Sequence, residues 1–215
     1  MIKICVILQG QVYQGIIDEL INTYKNISNK IISTWITEDK NCIDICRQNG
    51  FDVIVQDPPE YITSVNYQVK SLSAGIKRAI ELGFTHGFRC RTDIKINDIK
   101  KLLNILANTG ESDKLKFFTM YQNYPGHPEY LTDQIAYGPL DKLLKYWSIY
   151  QQPNDSRFPE LFLMETYFGR NKIKYSHIKD YIDLFIKTCY QENIKIIYTK
   201  DCYKKYDGKD IYTFQ

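Results

Sequence analysis

One stretch decides how this chain is interpreted: Phe88-Arg89-Cys90-Arg91-Thr92-Asp93-Ile94-Lys95-Ile96. Its pattern predicts a buried strand over residues 86–92 that leads into a polar turn. Asp93 is then a carboxylate at a strand end among cations, a plausible place to hold a metal ion against a phosphate. The alternative is a structural aspartate that caps the helix predicted to begin near Asp98.

Outward from this stretch, apolar runs of strand length alternate with segments of helical spacing. The predicted strands cover residues 2–8, 30–36, 51–55, 86–92, 115–120, 134–137 and 194–199. The predicted helices cover residues 16–24, 40–49, 66–82, 98–106, 140–149, 160–170 and 177–190. This alternation predicts an α/β fold with a mostly parallel sheet flanked by helices on both faces. Without a linker or repeat, residues 1–215 are expected to form a single domain.

Charge and composition restrict the class of partner. The net charge is +3 and no basic run occurs, which argues against nucleic-acid binding but suits an anionic small molecule. We expect neither a signal peptide nor a transmembrane helix, because the N-terminus enters an apolar strand at once and no long apolar stretch follows. The six cysteines are scattered, so reduced thiols and a cytoplasmic location are expected.

Polar residues stand at the carboxyl ends of the first four predicted strands. They are Gln9, Thr37, Asp57 and Asp93. Ligands of parallel α/β sheets bind at this edge, so the convergence predicts a binding site. Gly10 would let the backbone approach a nucleotide closely, although a simple turn glycine is the alternative. Neither GxGxxG nor GxxxxGK[ST] occurs, which excludes a dinucleotide fingerprint and a P-loop.

Two further groups of polar residues are candidates for ligand contacts. Arg89 and Arg91 share one strand face, so both could point at a phosphate, or one could neutralise a buried acid. Asn66 and Lys70 form, with Ser71, a polar stripe near the start of the predicted helix over residues 66–82. A solvated helix face explains the second group equally well.

Two carboxylates are candidates for a catalytic base. Asp133 precedes a short predicted strand, and Glu160 lies in the first turn of a predicted helix, where the helix dipole favours a negative charge. Either could activate an acceptor hydroxyl. Helix capping and surface placement would explain both without chemistry.

Several segments together resemble the WavE-like family of lipopolysaccharide-synthesis proteins. They are Asn66-Tyr67-Gln68 with Ser71 and Gly75, Arg91-Thr92-Asp93-Ile94-Lys95-Ile96, Asp133-Gln134-Ile135-Ala136-Tyr137-Gly138, and Pro159-Glu160. The resemblance spans about residues 2–170. It implies a GT-A-like fold, that of nucleotide-diphospho-sugar transferases. Related sequences occur in bacteria and large DNA viruses, so the resemblance implies that the protein is located in a bacterial cell or in a virus-infected host cell. Peripheral attachment to a membrane is left open.

The activity implied by this resemblance is sugar transfer from a UDP- or GDP-linked donor. The acceptor would be a hydroxyl of a surface glycan or of a lipopolysaccharide-type molecule. In GT-A enzymes a DxD motif holds Mn²⁺ or Mg²⁺ on the diphosphate, but here the motif reads Arg91-Thr92-Asp93. The resemblance therefore implies either that Asp93 binds the metal alone or that Arg91 supplies its charge.

The same resemblance suggests roles for the remaining candidates. Gln9 and Gly10 would border the nucleoside, with Asp57 near the base or ribose. Asn66 and Lys70 would contact the donor from the neighbouring helix. Glu160 resembles the base of inverting GT-A enzymes, with Asp133 as the other candidate for that role.

Two other functions remain open at this point. A nucleotidyltransferase of similar fold would need a glycine- and basic-rich loop after the first strand, and residues 9–13 contain no basic residue. A catalytically silent carbohydrate- or nucleotide-binding module is the second alternative, for which the arginine at position 91 is the best argument. Nucleotide binding without turnover would favour the module.

Overall fold

The computed structural model describes residues 2–108, 113–118, 120–121, 130–132, 134–151, 159–174 and 178–198. The strands are β1 (Ile4–Gln9), β2 (Lys30–Trp35), β3 (Asp52–Gln56), β4 (His86–Arg91), β5 (Ile94–Ile96), β6 (Leu115–Phe117), β7 (Met120–Tyr121), β8 (Tyr130–Leu131), β9 (Ile135–Pro139), β10 (Ile182–Leu184) and β11 (Ile196–Tyr198). The helices are α1 (Ile17–Tyr24), α2 (Lys40–Gln48), α3 (Ser64–Glu81), α4 (Ile99–Asn108), α5 (Leu140–Tyr146), α6 (Pro159–Arg170), α7 (Ile178–Tyr181) and α8 (Ile186–Gln191). Within these ranges, no helix has the length and apolar character that crossing a bilayer requires.

A seven-stranded sheet forms the centre of the molecule, in the order β10-β6-β9-β4-β1-β2-β3. Strands β3, β2, β1 and β4 run parallel to one another, whereas β9 lies antiparallel between β4 and β6. The register places Gln9 beside Ser33 of β2 on one side and beside Arg91 of β4 on the other. The carboxyl ends of three neighbouring strands therefore meet at one edge, as the sequence predicted.

Helices cover both faces of this sheet, which confirms the predicted architecture. Val6 and Leu8 of β1 pack into a core with α1, α2 and α4. Cys5 and Ile7 point to the opposite face and pack with α3, α5 and α6. Since the side chains on both faces of β1 are buried, the sequence of this strand is a continuous apolar run and does not alternate between apolar and polar residues.

Helix α3 packs directly on β1 and β2 through a glycine. A Cβ added to Gly75 would lie 2.7 Å from Cγ2 of Ile7 and 3.6 Å from Cβ of Ser33. The side chain of Thr63 caps the helix by accepting a hydrogen bond of 3.2 Å from the Asn66 amide. This close packing brings the first turns of α3 to the carboxyl end of β2.

The strand predicted over residues 115–120 is two short strands, β6 and β7, and β8 was not predicted. Two further segments also differ from the prediction. The helix predicted over residues 177–190 is instead two short helices separated by β10, which pairs in parallel with β6. Residues 94–96, left without a strand in the prediction, form β5, which pairs antiparallel with β11. Both strands have three residues, a length at which the apolar period cannot distinguish helix from strand and pairing with a neighbour decides.

The cysteines of the described residues are buried free thiols at positions 5, 42, 46, 90 and 189. Burial raises the pKa of the Cys5, Cys46, Cys90 and Cys189 thiols to about 12. Because the thiolate is the reactive form, these side chains act as small apolar core residues at neutral pH.

Candidate functional site

A cleft of about 390 Å³ opens at the carboxyl ends of β1, β2 and β4. Its lining comes from four segments, within residues 9–16, 35–38, 64–68 and 91–93. Open α/β sheets bind ligands at this edge, and the volume suits a small organic ligand. Of the predicted site residues, the cleft brings together Gln9, Gly10, Arg91 and Asp93.

The loop between β1 and α1 is held in place by neighbouring side chains. The Thr34 hydroxyl donates to the carbonyl of Gly10 at 2.8 Å, and the Thr92 hydroxyl donates to that of Gln11 at 2.7 Å. The Glu38 carboxylate accepts a hydrogen bond of 3.3 Å from the backbone of the same loop. These contacts fix the loop backbone against the ends of β2 and β4 before any ligand arrives.

Gly10 occupies a backbone conformation that side-chain-bearing residues rarely adopt. Its φ is +138°, and an added Cβ would lie 2.7 Å from Oγ1 of Thr92. That hydroxyl is the one that holds Gln11. The position therefore requires glycine for both backbone conformation and space.

Arg89 lies fully buried beneath the cleft. Its Nη2 donates a hydrogen bond of 2.9 Å to Oε1 of Gln9, and its guanidinium carbon lies 5.4 Å from the centre of the Trp147 ring. Gln9 is itself only 7% exposed. Arg89 therefore does not line the cleft itself but orients the side chain of Gln9, which does.

Arg91 and Asp93 form a two-pronged ion pair at the end of β4. Nε of Arg91 donates to Oδ1 of Asp93 at 2.9 Å, and Nη2 donates to Oδ2 at 2.6 Å. The Arg91 side chain is 22% exposed, whereas that of Asp93 is 4% exposed. Both residues line the cleft, but Arg91 is the more exposed of the two and Asp93 is almost fully buried. Such forked pairs are stronger and more directional than single hydrogen bonds.

As arranged in this structure, the surroundings of Asp93 do not fit a divalent cation. Both carboxylate oxygens accept hydrogen bonds from a guanidinium, so a metal ion there would lie beside a fixed positive charge. In the described part of the chain, no three His, Cys, Asp or Glu side chains are grouped closely enough to hold a metal ion. The roles of Asp93 as metal ligand and of Mn²⁺ or Mg²⁺ as cofactor stay predictions.

Aromatic side chains line the β2 side of the cleft. Trp35, at the end of β2, and Tyr67, near the start of α3, pack edge to face with ring centroids 4.9 Å apart and planes at 86°. Tyr13 of the β1–α1 loop lines the same cleft. The sequence predicted no ligand contact for these three residues, because an isolated aromatic residue fits core packing as well as it fits a ligand contact. The location of Tyr13 between Gly10 and Gly15, in the loop after the first strand, was the available signal for a ligand contact.

Asn66 and Lys70 are held by backbone groups of neighbouring loops. The Asn66 side chain is buried, donates to the carbonyls of Tyr61 and Gln151 at 3.1 and 3.2 Å, and accepts from the Gln151 amide at 2.7 Å. Nζ of Lys70 donates to the carbonyl of Pro58 at 3.2 Å. These contacts fasten loops to α3, and neither residue lines the cleft.

Of the three remaining candidates, two are described by the structure and neither lines this cleft. Asp57 is exposed just after β3 and is absent from the cleft lining. Glu160 is half-buried in the first turn of α6, which packs against α3 and α5, and it does not line the cleft either. Asp133 lies outside the described residues.

Several solved structures share this fold at low sequence identity. Residues 1–349 of TarS from S. aureus have a TM-score of 0.50 and 17% identity, over 78% of this chain and 56% of that chain. A putative glucose-1-phosphate thymidylyltransferase from Bacillus anthracis has a TM-score of 0.50 and 12% identity, over 86% of each chain. A glycosyltransferase involved in glycosylation of the major capsid of PBCV-1 has a TM-score of 0.47 and 11% identity, over 80% of this chain and 78% of that one.

No protein-family model and no curated protein matches the sequence. The structural likeness establishes the fold, which is the GT-A-like α/β fold of nucleotide-diphospho-sugar transferases. The putative thymidylyltransferase among the similar structures is a nucleotidyltransferase, so the fold alone does not choose between sugar transfer and nucleotidyl transfer. The WavE-like family stays a prediction.

Proposed function

We propose that this chain is a glycosyltransferase that moves a sugar from a nucleoside-diphosphate donor to a hydroxyl of a glycan acceptor. The observation that carries the proposal is the division of the cleft into an aromatic side at β2 and a guanidinium at β4. A donor of this kind has the same division, with a flat base at one end and an anionic diphosphate at the other. A UDP- or GDP-linked sugar and a surface-glycan or lipopolysaccharide-type acceptor follow from the family resemblance.

The spacing of the strands supports this orientation of the donor. Strand β1 separates β2 from β4, and neighbouring strands are about 4.8 Å apart, so the two sides of the cleft lie about 10 Å apart. A nucleotide can span that distance between its base and its diphosphate. We assign the base to the Trp35 and Tyr67 side and the diphosphate to Arg91. Gln9, on the intervening strand, would face the ribose.

Sugar transfer requires a nucleoside diphosphate that leaves with the bonding electron pair and a base that accepts the proton of the acceptor hydroxyl. The acceptor oxygen bonds to the anomeric carbon while the bond from that carbon to the diphosphate oxygen breaks, and the electron pair leaves with the nucleoside diphosphate. Arg91 would offset the developing negative charge, which is usually the largest catalytic contribution. The proton of the acceptor hydroxyl would pass to a carboxylate, for which Glu160 and Asp133 are the two candidates.

One of the two alternatives is less well supported by the cleft, and the other differs only in turnover. A nucleotidyltransferase must bind a nucleoside triphosphate, and residues 9–16 of the β1–α1 loop contain no lysine or arginine for it. A silent binding module would use the same cleft without turnover. The two alternatives therefore differ from sugar transfer in the fate of the bound nucleotide: it is joined to another molecule by the nucleotidyltransferase and left unreacted by the binding module.

Calorimetric titration with UDP, GDP, uridine and guanosine tests the proposal. We expect one diphosphate to bind at least tenfold more tightly than its nucleoside, and its sugar conjugate to be slowly hydrolysed even without acceptor. If none of these nucleotides binds, the proposal is wrong. Binding without release of sugar in the presence of any glycan acceptor would instead support the silent module.

Substitution of Gly10 by alanine is expected to weaken nucleoside-diphosphate binding by about tenfold or more. The new Cβ must displace Thr92, whose hydroxyl holds the loop, and the backbone must leave its φ of +138°. Calorimetry on a variant shown by circular dichroism to be folded measures the effect.

Gly83→Ala is the matched control, because Gly83 also has a positive φ of +79° but an added Cβ meets nothing within 4 Å. Gly83 follows the carboxyl end of α3, away from the cleft, so this variant should lose stability without losing affinity. Equal loss of affinity in both variants would contradict a specific role for the Gly10 loop.

A further inference from the structure

We propose that Arg91, held by Asp93, binds the donor diphosphate in place of a divalent metal ion. The inference rests on the proposed function, because it states how the same cleft holds the same donor. It makes Arg91 the residue that touches the diphosphate and Asp93 a positioning residue behind it. Nucleotide binding is then independent of divalent cations.

The geometry of the ion pair supplies the first argument. Asp93 occupies the edge of the planar guanidinium formed by Nε and Nη2, so the edge formed by Nη1 and Nη2 is directed away from the carboxylate. A guanidinium edge matches the spacing of two phosphate oxygens and binds them with two parallel hydrogen bonds. Because Asp93 is only 3% exposed, a ligand that enters the cleft meets the arginine first.

The charges that line the cleft supply the second argument. Among the described residues of the lining, Arg91 is the one with a positive charge. Glu38, the other charged residue besides Asp93, comes from the β2 side, where its carboxylate accepts a hydrogen bond from the Val12 amide. The charged hydrogen-bond donors that an anionic group needs therefore lie on the β4 side, and a guanidinium stays protonated throughout the working pH range.

The cost of the alternative supplies the third argument. To coordinate a metal ion in the usual way, Asp93 would have to exchange its guanidinium partner for the cation. That exchange breaks both hydrogen bonds between the guanidinium and the carboxylate and leaves the displaced guanidinium close to the new cation. Magnesium, in addition, demands near-ideal octahedral oxygen ligands. A fixed arginine meets the need for positive charge without this rearrangement.

The test is titration of UDP and GDP into the whole chain in EDTA, in Mg²⁺ and in Mn²⁺. We expect the same affinity within about threefold in all three buffers. In Arg91→Gln the diphosphate should bind at least tenfold more weakly in every buffer, the size expected for a hydrogen bond to a charged group. The affinity for uridine or guanosine should be unchanged, which shows that the cleft is intact.

Two further variants distinguish diphosphate binding by the Arg91–Asp93 pair from diphosphate binding through a metal ion. Lys95→Gln removes the same charge from a side chain that pairs with Glu19 at 2.6 Å and does not line the cleft, so it should bind like the wild type. Asp93→Asn should weaken diphosphate binding to a degree that added Mn²⁺ does not restore, whereas a lost metal ligand is compensated by more metal.

The outcomes are separable. Binding that requires Mg²⁺ or Mn²⁺, or wild-type affinity in Arg91→Gln, would overturn this inference and leave the proposed function standing. Recovery of Asp93→Asn binding at high Mn²⁺ would also overturn it. If no nucleotide binds in any buffer, the proposed function fails and this inference fails with it.

Discussion

Truncation of Trp147 to alanine is expected to lower the free energy of unfolding by about 3–5 kcal/mol. The indole is fully buried, with its ring centroid 4.6 Å from that of Tyr146 and 5.9 Å from that of Phe117. It also lies beneath the Arg89 guanidinium, at 5.4 Å. Alanine would leave a large cavity and would remove the aromatic face that this buried cation contacts, so both losses add to the cost.

Urea unfolding followed by circular dichroism measures this change. Tyr150→Ala is the control, since Tyr150 stands three positions further along the chain and is 52% exposed. The control should change stability by no more than about 0.5 kcal/mol, as is usual for surface substitutions. A loss below about 1 kcal/mol in Trp147→Ala would contradict the close packing of this core.

The fold was largely predictable because its strongest signals are local. Long apolar runs and helical spacings mark β1 to β4 and α1 to α4, and their alternation predicts a parallel sheet. The strands β5 and β10 were not predictable, because each has three residues and exists through its partner, β11 or β6. Pairing with a distant segment leaves no periodic trace in so short a sequence.

The location of the cleft was also predictable, whereas the partners of its side chains were not. Strand ends converge in any parallel sheet, which brings Gln9, Gly10, Arg91 and Asp93 together. Alternation put Arg91 and Arg89 on one face but could not say which one would meet an acid. Asn66 contacts the backbone at position 151, a partner that sequence spacing could not show.

Substitution of Glu160 by glutamine is expected to lower kcat for sugar transfer by about 10²–10⁴-fold, the usual contribution of a general base. Glutamine keeps the size and the hydrogen-bonding oxygen of the side chain but cannot accept the acceptor proton. Calorimetric affinity for the nucleoside diphosphate should be unchanged, because Glu160 does not line the donor cleft. A change in kcat at constant donor affinity identifies an interaction made in the transition state.

Glu165→Gln on the same helix α6 is the matched control, because this carboxylate is exposed and its variant should transfer sugar at the wild-type rate. Asp133→Asn tests the other candidate in the same assay. If Glu160→Gln keeps the wild-type kcat while Asp133→Asn loses activity, the base is Asp133. If both variants transfer sugar at the wild-type rate, neither carboxylate removes the proton in the rate-limiting step, and the mechanism must place that proton elsewhere.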